Sequence, residues 1–341
     1  MENNNLLLEV QNLKTYFFLD EGTARAVDGV DFGVKYGQTL GVVGESGCGK
    51  SVTARSILRI VPKPGRIVEG DITLYRCQEK NGCMVAEAVK LTDLDAHGSL
   101  IRSIRGCQIA LVPQEPMMSL SPVHTVGNQI IEAIVLHQNM SKTEAREKAI
   151  EMLSLVGMPQ PDRMIDRYPH QLSGGMRQRC IIAMALSCHP SLLIADEPTT
   201  ALDVTTEAQI LKLMRRLQEE LGMAIMYITH NLGVVAQMTE YVIVMYMGKV
   251  VEEASVDTIF HNPMHPYTRA LLKSIPRLGQ RTRERRRLES IRGTVPDPYA
   301  IPRGCSFHPR CDYKIAGVCN REQPPYHEIE PGHKVRCVLY T

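Results

Sequence analysis

Gly44-Glu45-Ser46-Gly47-Cys48-Gly49-Lys50-Ser51 stands directly after the apolar run Thr39–Val43 and directly before a helix-like stretch, Ser51–Val61. A glycine-rich turn between a strand and a helix is the context a phosphate-binding loop requires. Gly44, Gly47 and Gly49 let the backbone curl so that successive N–H groups point inward at phosphate oxygens. The N-terminus of the helix adds its dipole. Lys50 would reach the β- and γ-phosphates, and the Ser51 hydroxyl would ligate Mg²⁺. The loop therefore predicts a nucleotide site on an α/β scaffold, without yet saying which kind of nucleotide protein carries it.

Working outward, Leu192-Leu193-Ile194-Ala195-Asp196-Glu197-Pro198 has four apolar residues and then two carboxylates. Such a run predicts a buried parallel strand whose acids sit at its carboxyl end, where these sheets bind ligands. Asp196 suits a Mg²⁺-water contact, and Glu197, on the other side of the pleat, suits polarising an attacking water. Further strands are predicted at Gln108–Val112, Met223–Thr229 and Tyr241–Met247. Helices are predicted at Val126–His137, Lys142–Val156, Gly174–Ser187 and Thr206–Leu221, the last with Leu211, Met214, Leu217 and Leu221 on one face. Three helices and no convincing strand between Val112 and Leu192 predict a helical subdomain, about 113–188, inserted into the sheet domain.

The discriminating stretch is Leu172-Ser173-Gly174-Gly175-Met176. Ser173 is placed to cap the helix that follows, and the two glycines leave its first N–H groups uncovered. That is a second anion site on the same chain. One triphosphate does not need both in one monomer; two chains facing head to tail do, each lending its second site to the other's nucleotide.

In this order, the P-loop, the Leu-Ser-Gly-Gly-Met signature, Asp196-Glu197, Ala201-Leu202-Asp203 and Thr229-His230 resemble an ATP-binding-cassette ATPase, over roughly Leu6 to Phe260. The resemblance implies a RecA-like P-loop core with an antiparallel β subdomain and the helical insertion, occupying residues 1–262. It implies ATP held by the backbone and side chains of Gly44 to Ser51 and Val52, with Phe17 or its neighbour Tyr16 stacked on adenine. Gln114 would sense Mg²⁺ and couple to a membrane partner, and Ser51, Gln114 and Asp196 would surround the metal. Glu197 and His230 would be catalytic, His230 touching the γ-phosphate. Ser173, Gly174 and Gly175 would bind ATP in trans, and Asp203 would lie in a loop facing the opposing subunit. Two small departures, Val112-Pro113 before Gln114 and Asn231 after His230, remove no catalytic group.

Composition agrees with such a chain. Its 341 residues suit one large domain and a smaller appendage, and 44% apolar content suffices for a core. A net charge of +2 gives no general pull toward nucleic acid. No run approaches the roughly 18 to 20 apolar residues of a membrane helix. Met1-Glu2-Asn3-Asn4-Asn5 lacks a signal peptide's basic and apolar regions, so the expected location is the cytoplasmic face of the membrane, as a peripheral subunit.

Ten cysteines in such a compartment are not expected to form disulfides. Cys77 and Cys83 share a polar insert, Arg76 to Lys90, that reads as a surface loop. Past Phe260 the texture changes to a Pro/His-marked helix, His265–Ile275, a basic run, Arg281 to Arg287, and a Cys-rich tail, making 263–341 a C-terminal extension. There Cys305, Cys311, Cys319 and Cys337 are spaced C-x5-C-x7-C-x17-C, a set suited to Zn²⁺ or an iron–sulfur cluster, with His308, His327 and His333 as substitute ligands. Lacking apolar periodicity, the tail would profit from a metal clip.

His265-Pro266-Tyr267-Thr268-Arg269-Ala270-Leu271-Leu272 with the cysteine pattern resembles the dipeptide/oligopeptide importer ATPases. That implies a [4Fe–4S] cluster on the four cysteines, a homologous second ATPase as partner, two permease subunits and, indirectly, a substrate-binding protein. Nickel and oligosaccharide importers share the subgroup. A nucleic-acid-associated ATPase is the rival from another class, supported by the basic run and the Cys₄ tail, although Glu284 and Glu289 interrupt the run. A regulatory subunit that binds nucleotide without turnover is the third reading.

Overall fold

The computed structural model describes residues 5–80, 83–200, 202–274 and 291–341. The strands are β1 (Leu6–Leu19), β2 (Gly22–Lys35), β3 (Thr39–Val43), β4 (Gly65–Lys80), β5 (Cys83–Lys90), β6 (Ile109–Val112), β7 (Leu192–Asp196), β8 (Ala224–Thr229), β9 (Tyr241–Tyr246), β10 (Lys249–Ser255), β11 (His327–Glu330) and β12 (His333–Val335). They fall in two compact units.

The first unit comprises Met1–Leu8, Val34–Thr39 and Leu74–Ile228. At its centre β6, β7 and β8 run parallel, Val112 opposite Ala195 and Ala195 opposite Tyr227. Every residue of β7 and β8 is buried, which is why both read as unbroken apolar runs rather than alternating ones. Helices Val126–His137, Lys142–Leu155 and Gly174–Leu186 pack on one another. Their buried faces are Val126, Ile130 and Ile134; Ala145, Ala149, Met152 and Leu153; and Ile181, Ile182 and Leu186. A capping box at Ser141 and Glu144 starts the second of them. The stretch expected to be a surface loop is instead strand pairing: β4, whose end it covers, and β5 are neighbouring strands of one sheet.

The second unit comprises Glu9–Gly33, Leu40–Thr73 and Thr229–Thr341. Here β3 pairs parallel with β9, β9 antiparallel with β10, and the tail continues the sheet through β12 and then β11. β10 is a strand that the sequence pattern does not announce, because Glu252 and Glu253 interrupt its apolar run. Both are buried. Glu252 accepts from the N–H groups of Met264 and His265 and from His333 Nε2 (2.6, 3.0 and 2.9 Å), so a fully buried carboxylate ties β10 to β12 and to the start of helix Pro266–Lys273. The basic run Arg281–Arg287 lies outside the described residues.

Candidate functional site

In the second unit, β3 ends at Val43 and helix Lys50–Ile57 begins after the turn. Gly44, Gly47 and Gly49 have φ of 156°, 78° and 101°. A Cβ at Gly44 would lie 2.2 Å from the Met245 carbonyl oxygen, and one at Gly49 would lie 2.2 Å from that of Ala26. Two of the three glycines are therefore demanded by close backbone approach, the third by its dihedral alone. Gly49 caps the helix without a side-chain hydrogen bond, and no acid sits in the first turn, features that suit an anion at this helix N-terminus. Lys50 is buried and donates to the carbonyls of Gly44 (2.8 Å) and Glu45 (3.1 Å). Burial pushes the Cys48 thiol up.

Glu45 is held from outside the loop. Its N–H donates to Tyr267 Oη (2.9 Å), and its carboxylate accepts two bonds from Arg310 (2.7 and 3.1 Å). Burial opposes the charge on Arg310, but the bonds to Glu45 and Tyr246 outweigh it and push its pKa up. Nothing in the sequence spacing announces this contact, since the two residues are 265 apart.

On β1, Phe17 packs against Gly65, where a Cβ would come within 2.6 Å of the ring. Its neighbour Tyr16 donates to Asp28 Oδ1 (2.6 Å) and carries the Arg25 guanidinium 5.7 Å over its ring. Burial, and after it Asp28, pushes the Tyr16 hydroxyl up to about 12. His230 is exposed at the end of β8. Asn231, the departure after it, caps helix Leu232–Met238 by accepting from Gly233 N–H (3.0 Å), which Asn does as well as Asp.

In the first unit, the adjacency of β6 and β7 brings Gln114 to Glu197: its amide donates to Glu197 Oε2 (2.8 Å), which also accepts from Thr200 Oγ1 (3.0 Å). Glu197 itself sits at φ 47°, a left-handed conformation costly for a non-glycine residue, and its N–H is tied to Ile228 O (2.8 Å). Asp196 is buried beside it on the last position of β7.

Ser173 caps helix Gly174–Leu186 as expected, accepting from Met176 N–H (3.3 Å), and both Ser173 and Gly174 are exposed. Asp203 has a structural role as well. It caps helix Val204–Leu221, accepting from Thr206 N–H (2.9 Å) and Thr206 Oγ1 (2.7 Å), bonds that hold its carboxyl below the usual range. Thr206 also explains Gly175, whose Cβ would lie 2.6 Å from its methyl group.

The iron–sulfur expectation needs correction, and the zinc alternative with it. Cys305, Cys311, Cys319 and Cys337 do line one cavity with His265, Phe307 and His308, but it measures about 10 Å³, the lower edge of what admits one water. Among the described residues no three His, Cys, Asp or Glu side chains are set to hold a metal ion. Burial, and after it the neighbouring cysteines, pushes Cys305 up to about 11, and Cys311 and Cys337 up as well. Nor does the tail lack a packing core. Phe307 meets Tyr246 edge-on (5.3 Å, 87°) and Tyr267 (5.3 Å), and these two tyrosines are 4.7 Å apart. Aromatic packing and the β12–β10 pairing hold the segment together where a metal clip was expected.

A phosphate loop at a strand–helix turn, a strand-end acid pair whose Glu197 is bonded to a glutamine, and an exposed serine-capped glycine turn define a nucleotide-hydrolysing cassette. Residues 27–200 match the ABC transporter family and 251–319 the oligopeptide/dipeptide transporter C-terminal region. The chain is 50% identical over 333 residues to a probable peptide ABC transporter ATP-binding protein, y4tR, of Sinorhizobium fredii, covering 98% of this chain and 95% of that one. It is 48% identical to the oligopeptide transport ATP-binding protein AppD of Bacillus subtilis (98% and 97% covered) and 43% to the dipeptide transport ATP-binding protein DppD of Escherichia coli (97% and 96%). Among solved structures, the dimeric bacterial ABC transporter cassette MJ0796 aligns with TM-score 0.61 and 29% identity over 73% of this chain and 99% of that one. The chain belongs to the ABC transporter family of ATP-binding proteins, has its mixed α/β cassette fold, and is an ATP-hydrolysing subunit. No helix among the described residues is long and apolar enough to cross a membrane.

Proposed function

We propose that this chain powers import of di- or oligopeptides through two separate permease subunits, working at the cytoplasmic face of the membrane with a homologous second cassette and an extracytoplasmic binding protein. The observation that carries the cargo class is the match of 251–319 to the oligopeptide/dipeptide transporter C-terminal region, joined to peptide-transport relatives aligned almost end to end. In this reading residues 1–262 are the nucleotide-binding domain, with a RecA-like core, an antiparallel β subdomain and a helical subdomain at about 113–188; 263–341 is the extension.

Gly44 to Val52 grip the triphosphate, with the uncapped first turn of Lys50–Ile57 and the glycine dihedrals as support. Phe17 or Tyr16 stacks on the adenine. Ser51, Gln114 and Asp196 each carry an oxygen donor of the kind Mg²⁺ takes and are the residues that would hold it; the ion would neutralise phosphate charge. Glu197 orients water for in-line attack on the γ-phosphorus: the new P–O bond forms as the bond to the bridging oxygen breaks, the water's proton passes to Glu197, and ADP leaves. The bonds from Gln114 and Thr200 fix the carboxylate for that step. His230 approaches the γ-phosphate, while Ser173, Gly174, Gly175 and the Asp203 loop serve the partner's nucleotide. The dimeric MJ0796 cassette supports the two-chain arrangement.

The test is uptake of labelled di- and oligopeptides by cells carrying the chain or its Lys50→Ala variant. Loss of peptide uptake alone supports the proposal; loss confined to nickel or oligosaccharide uptake would reassign the cargo.

A further inference from the structure

A carboxylate in a loop built to hold a triphosphate is a liability, because it repels the charge the loop must bind. Glu45 is such a residue, the first after Gly44. Its charge is met by Arg310, whose side chain is only 5% exposed and which sits on the single 3₁₀ turn His308–Arg310 between Cys305 and Cys311. Arg310 is itself over-determined. Nε donates to Arg292 O (3.0 Å), Nη1 reaches Tyr246 Oη (3.4 Å), and the guanidinium lies 5.9 Å over the Tyr246 ring. Tyr267, fully buried, takes the Glu45 N–H, and Phe307 packs against both tyrosines. Glu45 O is in turn a partner of Lys50 Nζ (3.1 Å).

We propose that Arg310 is a positioning residue for ATP binding: by neutralising and fixing Glu45, it lets the Cys-rich extension set the affinity of the phosphate loop. The bidentate geometry gives both effects at once, cancelling the charge and locking the rotamer through a planar fork. Because one end of the contact is the phosphate loop and the other a turn carrying Phe307, His308 and Cys311, which line the cysteine cavity, a disturbance of that cavity is transmitted to nucleotide affinity. The inference rests on the ATP-binding reading of the loop.

The test measures equilibrium binding of a fluorescent ATP analogue, and the KM and kcat of ATP hydrolysis, on the full-length chain. Arg310→Met should weaken ATP binding on the order of tenfold, with kcat changed less, because a carboxylate is left uncompensated near the phosphates. The loss should shrink as salt rises, which a merely structural defect would not do. Glu45→Gln/Arg310→Met should bind several-fold more tightly than Arg310→Met, since no charge then needs cancelling. Arg310→Lys, keeping charge without the fork, should fall between wild type and Arg310→Met. If Arg310→Met fails to fold, Arg310→Lys carries the comparison, losing affinity with Glu45 and losing less in the Glu45→Gln background. Equal losses in both backgrounds, a loss confined to kcat, or no salt dependence would overturn the proposal. A wild-type chain that binds no ATP would instead sink the functional reading beneath it.

Discussion

Three glycines of one loop differ in what they tolerate. A Cβ at Gly44 or Gly49 meets a backbone oxygen at 2.2 Å, whereas one at Gly47 meets nothing within 4 Å. Gly47→Ala should therefore cost only its left-handed backbone, about 1–2 kcal/mol, while Gly44→Ala and Gly49→Ala cost several-fold more. Urea unfolding of the three variants checks this; equal losses would mean that the loop backbone relaxes around the added methyl. Glu197 makes a second residue-scale case. Gln at that position keeps an oxygen to accept from Gln114 and Thr200 but cannot take a proton. Glu197→Gln should lower turnover at least about 100-fold while ATP binding holds. Turnover surviving the change would assign water activation to another group.

Helix Pro266–Lys273 begins at His265, whose Nδ1 accepts from Tyr267 N–H (3.0 Å). Burial lowers the pKa of this imidazole to about 4; Glu252 opposes the shift and Arg269 adds to it. A histidine held neutral in the fold but free to protonate when unfolded, near 6.5, gives stability that is whole above pH 6.5 and is lost as pH falls toward 4. At pH 5 the loss from this group is about 2 kcal/mol. His265→Asn keeps a capping oxygen and removes the titration, so its stability should fall less than wild type between pH 7 and pH 5; parallel curves would show that His265 protonates in place. The same element marks how far sequence carries. The core strands and their helices are legible because buried parallel strands are unbroken apolar runs and the helices that follow carry clear caps. β10 is not, because its buried Glu252 reads as solvent-facing until its three donors are seen. β5 reads as part of a loop because the polar end of β4, Arg76 to Lys80, sets the texture of the stretch, and Cys83–Lys90 shows no clear alternation. The tail's thiols suggest a metal because the spacing of cysteines along a chain cannot show that Phe307, Tyr246 and Tyr267 fill the space between their segments.

For the whole molecule, the decisive feature is a helix N-terminus that lies exposed. Ser173 caps it and Gly174 leaves it open, as an anion from another chain would need. Substitution at the cap can separate charge from structure. Asn and Asp are both as good N-caps as Ser, so neither should unravel helix Gly174–Leu186. Asp, however, puts a negative charge where the proposed head-to-tail pair would place the partner's γ-phosphate, and like charges placed together at an interface cost several kcal/mol. In a Glu197→Gln background, where ATP persists, Ser173→Asn should still associate on adding ATP, whereas Ser173→Asp should stay monomeric while its own phosphate loop binds nucleotide normally. Light scattering with and without ATP, in the presence of the homologous cassette if the pair is mixed, reads the difference directly. If the aspartate variant pairs as readily as the asparagine one, then no triphosphate lies against that turn, and the head-to-tail arrangement is wrong for this protein.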